Sequence, residues 1–461
     1  MTPFMVGLGA ALVTLGMLRW RDSVRAALVL AVLEGVLRKW IFPDYGVLIY
    51  LAKDLLLLGG YLGFLLPRLV RRERFLFHHP ASVPLVLFGI LAAVGFANPS
   101  QPSLGVWLLG VKAYLIYVPL LYVVPVAFRD ILEVRRFLIG FAVFAIVPMT
   151  LGMIQFWTQP GEVLNRYAWG EEFGADVAVF GEGNRARITG TFSFISGHVT
   201  YMTLIVLVAV ALMAGIRGWR RRLSIGTVLA LAVANLFMTG SRGPFMTLSV
   251  GIPAVLALAG VSLRGLSLVR TAATGLLVLS TVALVVNLFP DAVGAFRERV
   301  EANDDVPDRL RALVSAPLWA LGEAGLSGYG IGTTHQAVMF LGKGISDDEP
   351  PRAEGEWEQI ILEVGPIGFV LVLVVRLFVI MRAWQAWRTE PKGEGRAIFA
   401  AALVFVLLCL AGNVVFNHVA GIFYWFMAGV ALVRQSSPPK FRAVPGLHRE
   451  LVGMHRGTPQ V

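Results

Sequence analysis

The chain has 461 residues, 57% of them hydrophobic and only 15% charged, with a mean hydropathy of +0.72. A soluble domain carries about 25% charge, and a soluble core of this length cannot hide so much apolar surface. A cytosolic enzyme, a disordered chain and a disulfide scaffold are therefore excluded, and a polytopic membrane protein is implied.

Apolar runs that approach the length of a membrane span lie at 3–18, 24–42, 46–66, 81–97, 104–127, 137–157, 191–215, 223–238, 244–262, 270–290, 359–381, 397–413 and 418–434. The first has no preceding basic region and no small-residue cleavage site before Arg19, so it reads as a retained span. Asn413, Asn417 and His418 mark the reversal between the last two. The pattern predicts an all-α integral membrane protein with about 12–13 transmembrane helices.

Lysines and arginines separate the runs by side. They crowd into alternate loops at 19–25, 68–74, 129–136, 217–222, 264–270 and 376–396, and into the tail after 434. By the positive-inside rule these segments face the cytoplasm. The formal charge of +11 then requires no nucleic-acid partner. The expected organisation is N-terminal helices over 1–157, an outer loop at 158–190, and central helices over 191–290. A large periplasmic loop at 291–358, mostly helical, precedes C-terminal helices over 359–434 and a cytoplasmic tail at 435–461. The long polar segments all fall outside, where no nucleotide pool exists, and no phosphate-binding loop occurs. No trustworthy internal repeat supports an inverted-repeat transporter. The lone Cys409 permits neither an internal disulfide nor a cysteine metal site.

Several motifs are candidates for chemistry. Thr239-Gly240-Ser241-Arg242-Gly243-Pro244 links two spans on the outer side. Pro244 suits the first turn of a helix, Ser241 can cap it, and the helix start beside Arg242 is suited to an anion. The plain alternative is a tight turn whose arginine reaches headgroups. Asp308-Arg309-Leu310-Arg311 opens an apolar helical stretch; its arginines either join Arg242 on a diphosphate or belong to a solvated amphipathic helix. Gly325 to His335 is rich in glycine, including Gly330 and Gly332, but lacks the strand and helix of a dinucleotide site. Such a loop can wrap a ligand, with His335 as acid, base or surface residue. Glu354, Glu356 and Glu358 stand where the outer loop re-enters the membrane. They are either helix-dipole partners or, desolvated, a general base. Glu363 lies deeper, where a charge is costly. Arg187 belongs to a further outer arginine group, Arg185-Ala186-Arg187. Within the spans, Glu34, Arg38, Lys53, Asp54 and Lys112 are expected to pair among themselves. Asp304-Asp305 and Asp347-Asp348 lack a full metal-ligand set.

The order of these pieces resembles the O-antigen ligase and polymerase superfamily of bacterial envelope polysaccharide enzymes. A Ser241-Arg242-Gly243 turn is followed by an outer loop with Asp308-Arg309 and Gly328-Tyr329-Gly330-Ile331-Gly332-Thr333. A span with Glu363-x-Gly365-x-x-Gly368 comes next, and Arg187-x-Thr189-Gly190-Thr191-Phe192 precedes a middle span. The resemblance covers roughly residues 185–370. It implies a GT-C-like, metal-independent glycosyltransferase of the bacterial inner membrane, free of cofactors, with its site on the periplasmic side. It would serve lipopolysaccharide or exopolysaccharide synthesis. The donor would be a polyprenyl-diphosphate-linked glycan and the acceptor a glycan or lipid, met among membrane lipids.

The resemblance assigns the diphosphate to Arg242 and Arg309, supported by Arg187 and Arg311, with Ser241, Gly243, Gly330 and Gly332 shaping the site. Ligases of this kind carry a histidine–asparagine pair just before the span beginning near Trp357. This chain has none, and the histidine's place falls near Glu354. Glu354 or Glu356 is therefore the expected base, with His335 as a remote substitute. The rival class is a secondary transporter or lipid-linked glycan flippase using Lys53, Asp54 and Lys112 near the midplane. A non-catalytic scaffold is a third.

Overall fold

A computed structural model describes residues 3–72, 79–168, 177–216, 218–260, 266–301, 306–335, 338 and 353–433. The N-terminal third holds α1 (Pro3–Leu18), α2 (Trp20–Val36), α3 (Gly46–Val70), α4 (Ser82–Val94), α5 (Leu104–Leu115), α6 (Leu120–Ala127), α7 (Ile131–Phe144) and α8 (Ile146–Trp157). A short antiparallel hairpin, β1 (Val179–Phe180) and β2 (Arg185–Ala186), follows. Then come α9 (Ile195–Gly215), α10 (Trp219–Met238), α11 (Gly243–Gly260), α12 (Leu266–Leu288), α13 (Pro290–Glu301) and α14 (Val306–Glu323). The chain ends in α15 (Glu356–Thr389), α16 (Glu394–Leu408) and α17 (His418–Val430).

Among the described residues, seven helices are long and apolar enough to cross a membrane, or nine if each of two bent pairs is one span. The chain is an all-α, multi-pass membrane protein. The larger number expected from the sequence includes α1, α4 and α17, which fall short of the ~20 residues of a straight span. It also includes α2, whose apolar run is interrupted by Arg21, Asp22, Arg25 and Glu34. The Asp304-Asp305 and Asp347-Asp348 pairs and the tail at 435–461 lie outside the described residues.

Local chemistry sets the helix ends. Ser103, Asp130 and Asn417 each accept a backbone N–H of the first turn of α5, α7 and α17, respectively. The α12–α13 pair turns by 95°, where Pro290 offers no N–H and disfavours helix at the residue before it. That bend swings α13 across the ends of α10 and α11. Phe237, Phe245 and Phe296 lock it there, with ring centroids 4.5–5.3 Å apart. At the other side of the bundle, Gly59 and Gly63 of α3 press on the α1 backbone at Val13 and Met17, the small-residue packing that membrane helices favour.

The loops segregate into two ends. At the arginine-rich end, Arg25 bonds Glu133 at 2.6 Å and Arg135 bonds Glu394 at 2.9 Å. At the opposite end, the connections after α2, α4, α8, α10, α14 and α16 meet one another. Trp40 Nε1 donates to the Val163 carbonyl, Asn98 to Gly328, Gln101 to Ile331, and Arg187 to Thr239. The alternation of charge along the sequence thus corresponds to a physical separation of loops.

Candidate functional site: the polar end of the bundle

The segment 187–193 runs across this end and is tied down at every step. The Arg187 backbone N–H donates to the Ala178 carbonyl at 2.8 Å, beside the hairpin. Its guanidinium spans the Ser-Arg-Gly turn, with Nε donating to the Thr239 carbonyl at 2.8 Å and Nη2 to Ser241 Oγ at 3.0 Å. The Ser241 hydroxyl thus accepts from Arg187, a partner that the sequence reading did not assign to it. Burial, and then the neighbouring Arg299 of α13, lower the Arg187 guanidinium from its ordinary value. It remains a cation. Among the described residues no carboxylate forms an ion pair with Arg187. Arg242 is half-buried in the same turn, and Gly243 opens α11.

Further along, Gln155 Oε1 accepts the N–H groups of Thr189 and Gly190 at 3.1 and 2.7 Å. The buried Lys39 amine donates to Thr189 Oγ1 at 2.9 Å and to the Gly190 carbonyl at 3.0 Å. Ser193 Oγ accepts from Arg38 Nη1 at 3.0 Å. Arg38 belongs to a charged network among α2, α3, α5 and α17. The same Arg38 Nη1 lies 3.0 Å from Glu34 Oε1, and Lys53 Nζ lies 2.6 Å from Glu34 Oε2. His418 Nε2 is 3.4 Å from that oxygen. Lys112 Nζ lies 3.0 Å from Asp54 Oδ2, whose Oδ1 accepts from Tyr117 at 2.7 Å. The five intramembrane charges do pair, as expected. The Tyr50 ring sits in their middle, with Lys112 Nζ 3.6 Å and Lys53 Nζ 4.6 Å from its centroid.

A narrow cavity, with room for about one water, opens on this network, lined by Tyr50, Lys112, Tyr117, His335, Phe416 and His418 among others. Burial, then Lys112 and His418, push the His335 imidazole down to about 4. It is neutral at pH 7 and able to accept a proton.

The glycine-rich loop has a different task. In α15, Pro366 lacks the N–H that would bond the Leu362 carbonyl, and Gly365 leaves the helix with φ of 68°. The loop supplies the missing donors. Tyr329 N–H bonds the Leu362 carbonyl at 2.7 Å, and Gly330 N–H bonds the Glu363 carbonyl at 3.1 Å. Thr334 closes over the buried Glu363 carboxyl, donating from N at 2.9 Å and Oγ1 at 2.7 Å. Gly332, at φ of 87°, lies against the α5 backbone at Gly110, where a side chain has no room. Gly330 and Gly332 therefore bring the loop against protein backbone.

The other sequence candidates are dispersed. Glu356 is buried: Arg376 Nη2 at 2.8 Å, Val414 N at 2.9 Å and Val415 N at 2.5 Å all donate to Oε1, while its buried Oε2 has no hydrogen-bond partner among the described residues. Glu358 bonds the Gly355 N–H at 2.6 Å as a helix-start partner. Glu354 is exposed. Arg311 is 80% exposed and pairs with Asp308 at 3.5 Å. Arg309 lies on α14, with its side chain outside the described residues.

Three contributors escaped the sequence reading. Lys39 follows Arg38 at the end of an apolar run, and that position was its signal. Arg299 is one of several charges on an amphipathic helix and carried no signal. Gln155 sits in a span where a lone amide is unremarkable until its bonds are seen.

Fold and site together define an all-α, multi-pass membrane protein whose polar chemistry collects at one end of the helical bundle. No protein-family model and no curated protein matches this chain.

Proposed function

We propose that this chain is a membrane glycosyltransferase that takes its glycan from a polyprenyl-diphosphate-linked donor at the loop-rich end, on the periplasmic face of a bacterial inner membrane. This is the chemistry of the O-antigen ligase and polymerase superfamily that its motif order resembles. The observation that carries the reading is the Arg187 guanidinium at the Ser241-Arg242 turn, held by the Thr239 carbonyl and the Ser241 hydroxyl, without a carboxylate ion-paired to it among the described residues. A half-buried cation with neutral partners is stabilised when an anion joins it.

A lipid diphosphate meets that requirement, since its headgroup sits where a bundle end meets the membrane surface. In the transfer, the acceptor hydroxyl forms a bond to the anomeric carbon as the bond from that carbon to the diphosphate oxygen breaks. The electron pair leaves with the diphosphate, and the arginines stabilise the growing charge. The hydroxyl proton goes to a base. Glu356 is ion-paired with Arg376 and Glu354 faces solvent, so the neutral His335 on the cavity takes this role. No cofactor is needed, because the donor already holds the energy of the bond.

The transporter or flippase reading places Lys53, Asp54 and Lys112 at a midplane coupling site. Lys53 is seven residues into the 25-residue α3, about 10 Å along its axis and nearer its middle than its end. Lys53 is ion-paired with Glu34 and Lys112 with Asp54, so these charges already serve to join helices.

The test is transfer by the full chain in lipid nanodiscs supplied with a lipid-diphosphate-linked glycan. Arg187→Ala and Arg299→Ala should lose product by about 10²-fold or more each. Arg297→Ala, on the same helix but 78% exposed, should retain it. Equal product from all four proteins at equal expression overturns the reading.

A further inference from the structure

The break in α15 is larger than a kink. In a straight helix Glu356 and Arg376, 20 residues apart, would be separated by about 30 Å. Instead Arg376 Nη2 donates to Glu356 Oε1 at 2.8 Å. The Arg376 guanidinium also lies 4.5 Å from the Trp357 ring, and Trp357 meets Phe369 edge to face with centroids 5.4 Å apart. Two arms, 356–364 and 366–389, are therefore folded back on each other. Gly365, with φ of 68° and ψ of −179°, makes the reversal.

The fold-back carries the start of the short arm into the bundle. Arg376 lies about 16 Å along the long arm from Gly365. The outer side of that arm is apolar, with Ile367, Val370 and Leu377 exposed as lipid-facing residues are, while Arg376 between them is buried. Glu356 beside Arg376 is thus at the depth of hydrocarbon. The connection after α16 reaches the same level, because Val414 and Val415 donate to Glu356 and Trp357 Nε1 donates to the Leu410 carbonyl. Two non-helical stretches, 353–355 and 412–417, meet there, and Glu354 and Asn413, one in each, are exposed. Irregular backbone at such depth is tolerated where protein buries it or a water-filled cavity touches it. A carboxylate at that depth is costly against acyl chains and is found facing protein or water.

A second observation leads to the same ligand. Glu356, Gln359 and Glu363 share one face of the short arm, three and four residues apart. Glu356 Oε2, Gln359 Oε1 and Glu363 Oε2 are buried with no hydrogen-bond partner among the described residues, and so is Arg376 Nη1. Buried polar atoms are nearly always bonded, and internal water is the usual partner where protein supplies none. A narrow cavity beside Tyr114, Arg376 and Val415 has room for about two waters.

We infer that the short arm of α15 is a re-entrant helix with a hydrated polar face: water enters past Glu354 and Asn413 and bonds the unpartnered atoms of Glu356, Gln359, Glu363 and Arg376. This hydration makes the Glu356–Arg376 pair tolerable inside the bilayer, since the atoms left over by the pair are satisfied. It is independent of the transfer reaction proposed above.

The experiment follows labelling of the full chain in nanodiscs by a charged methanethiosulfonate, which attacks a thiolate and so needs water at the thiol. Cys409→Ala supplies the background for Glu354→Cys, Asn413→Cys and Gln359→Cys. Ser327→Cys, exposed at the loop-rich end, sets the fast limit. Val370→Cys and Leu377→Cys, on the lipid side of the same helix, set the slow one. Glu354→Cys and Asn413→Cys should react within about tenfold of Ser327→Cys and about 10²-fold faster than the lipid-facing pair, with Gln359→Cys in between. Ala411→Cys, exposed in the same connection, repeats the test if Asn413→Cys disturbs the turn by losing its bond to the Phe416 N–H. Rates at Glu354 and in the 411–413 connection no faster than at Val370 and Leu377 overturn the entry of water. A Gln359→Cys as slow as the lipid-facing pair overturns the hydrated face.

Discussion

Two groups of basic side chains meet at the loop-rich end of this bundle, and they are held in opposite ways. Around Tyr50, the cations have carboxylates within 2.6–3.0 Å and lie among α2, α3, α5 and α17. Around the Ser241-Arg242 turn, Arg187 is held by a carbonyl and a hydroxyl, with another arginine behind it. The first arrangement joins helices, because separating any pair strands a charge in a medium that cannot solvate it. The second supplies neutral partners to a cation, with no carboxylate ion-paired to it among the described residues. Segment 187–193 connects them, with Arg187 at the turn and Ser193 on Arg38. The backbone of Thr191–Ser193 packs directly on Gly35 of α2, so the two regions are mechanically one floor.

If this division of labour is right, Glu34→Ala should cause the largest loss of stability. It removes the carboxylate shared by Arg38 and Lys53, and breaking a buried pair costs about 3–5 kcal/mol. Thermal unfolding in mild detergent should show a large drop; a melting temperature equal to wild type would mean the network is not structural.

Next in size is Arg187→Ala, with transfer falling about 10²- to 10³-fold while the unfolding temperature moves far less than for Glu34→Ala. Arg187→Lys should recover part of the rate, because the charge returns but the two-point bridge to Thr239 and Ser241 does not. Comparable unfolding losses in both Glu34→Ala and Arg187→Ala would erase the distinction between the regions.

Gly365→Ala comes third. The residue needs a positive φ and lies against the Leu326 carbonyl, so about 1–3 kcal/mol of strain is expected. The readout is unfolding temperature together with protease cleavage in the 325–335 loop.

His335 gives a smaller, pH-shaped effect. Its folded value of about 4 lies below the ~6.5 of an unfolded histidine. The neutral form is favoured by the fold, so the stability it contributes is present above pH ~6.5 and is lost as pH falls towards 4. His335→Gln should flatten that stretch of the stability curve, and the acid limb of wild-type transfer should sit near pH 4 and not near 6.5. An acid limb at 6.5 would place the base elsewhere. The smallest effect is Arg311→Ala, an 80% exposed side chain, expected within about 0.5 kcal/mol of wild type and with near-normal transfer. A severe loss there would bring back the diphosphate set expected from the sequence.

Much of the architecture was legible in one dimension. Each apolar run became helix because a chain in hydrocarbon must satisfy its own backbone, and the alternating arginines marked which loops share an end. The pairing of Glu34 with Arg38 followed from a spacing of four residues. What spacing cannot encode is convergence between distant segments. Glu354 and Glu356 look alike in sequence, yet one faces solvent and the other is clasped by Arg376 and two N–H groups from the 414–415 turn. Arg311 and Arg299 both sit on amphipathic helices, yet only the 95° bend at Pro290 carries Arg299 to the turn. The glycines of the 325–335 loop, which suggested a ligand cradle, instead meet a helix kink whose freed carbonyls need donors. Local backbone chemistry and hydropathy are properties of neighbours along the chain and can be read there. The net charge of a buried cluster, and the partners of each carboxylate, arise from residues far apart in sequence and exist only once the helices have packed.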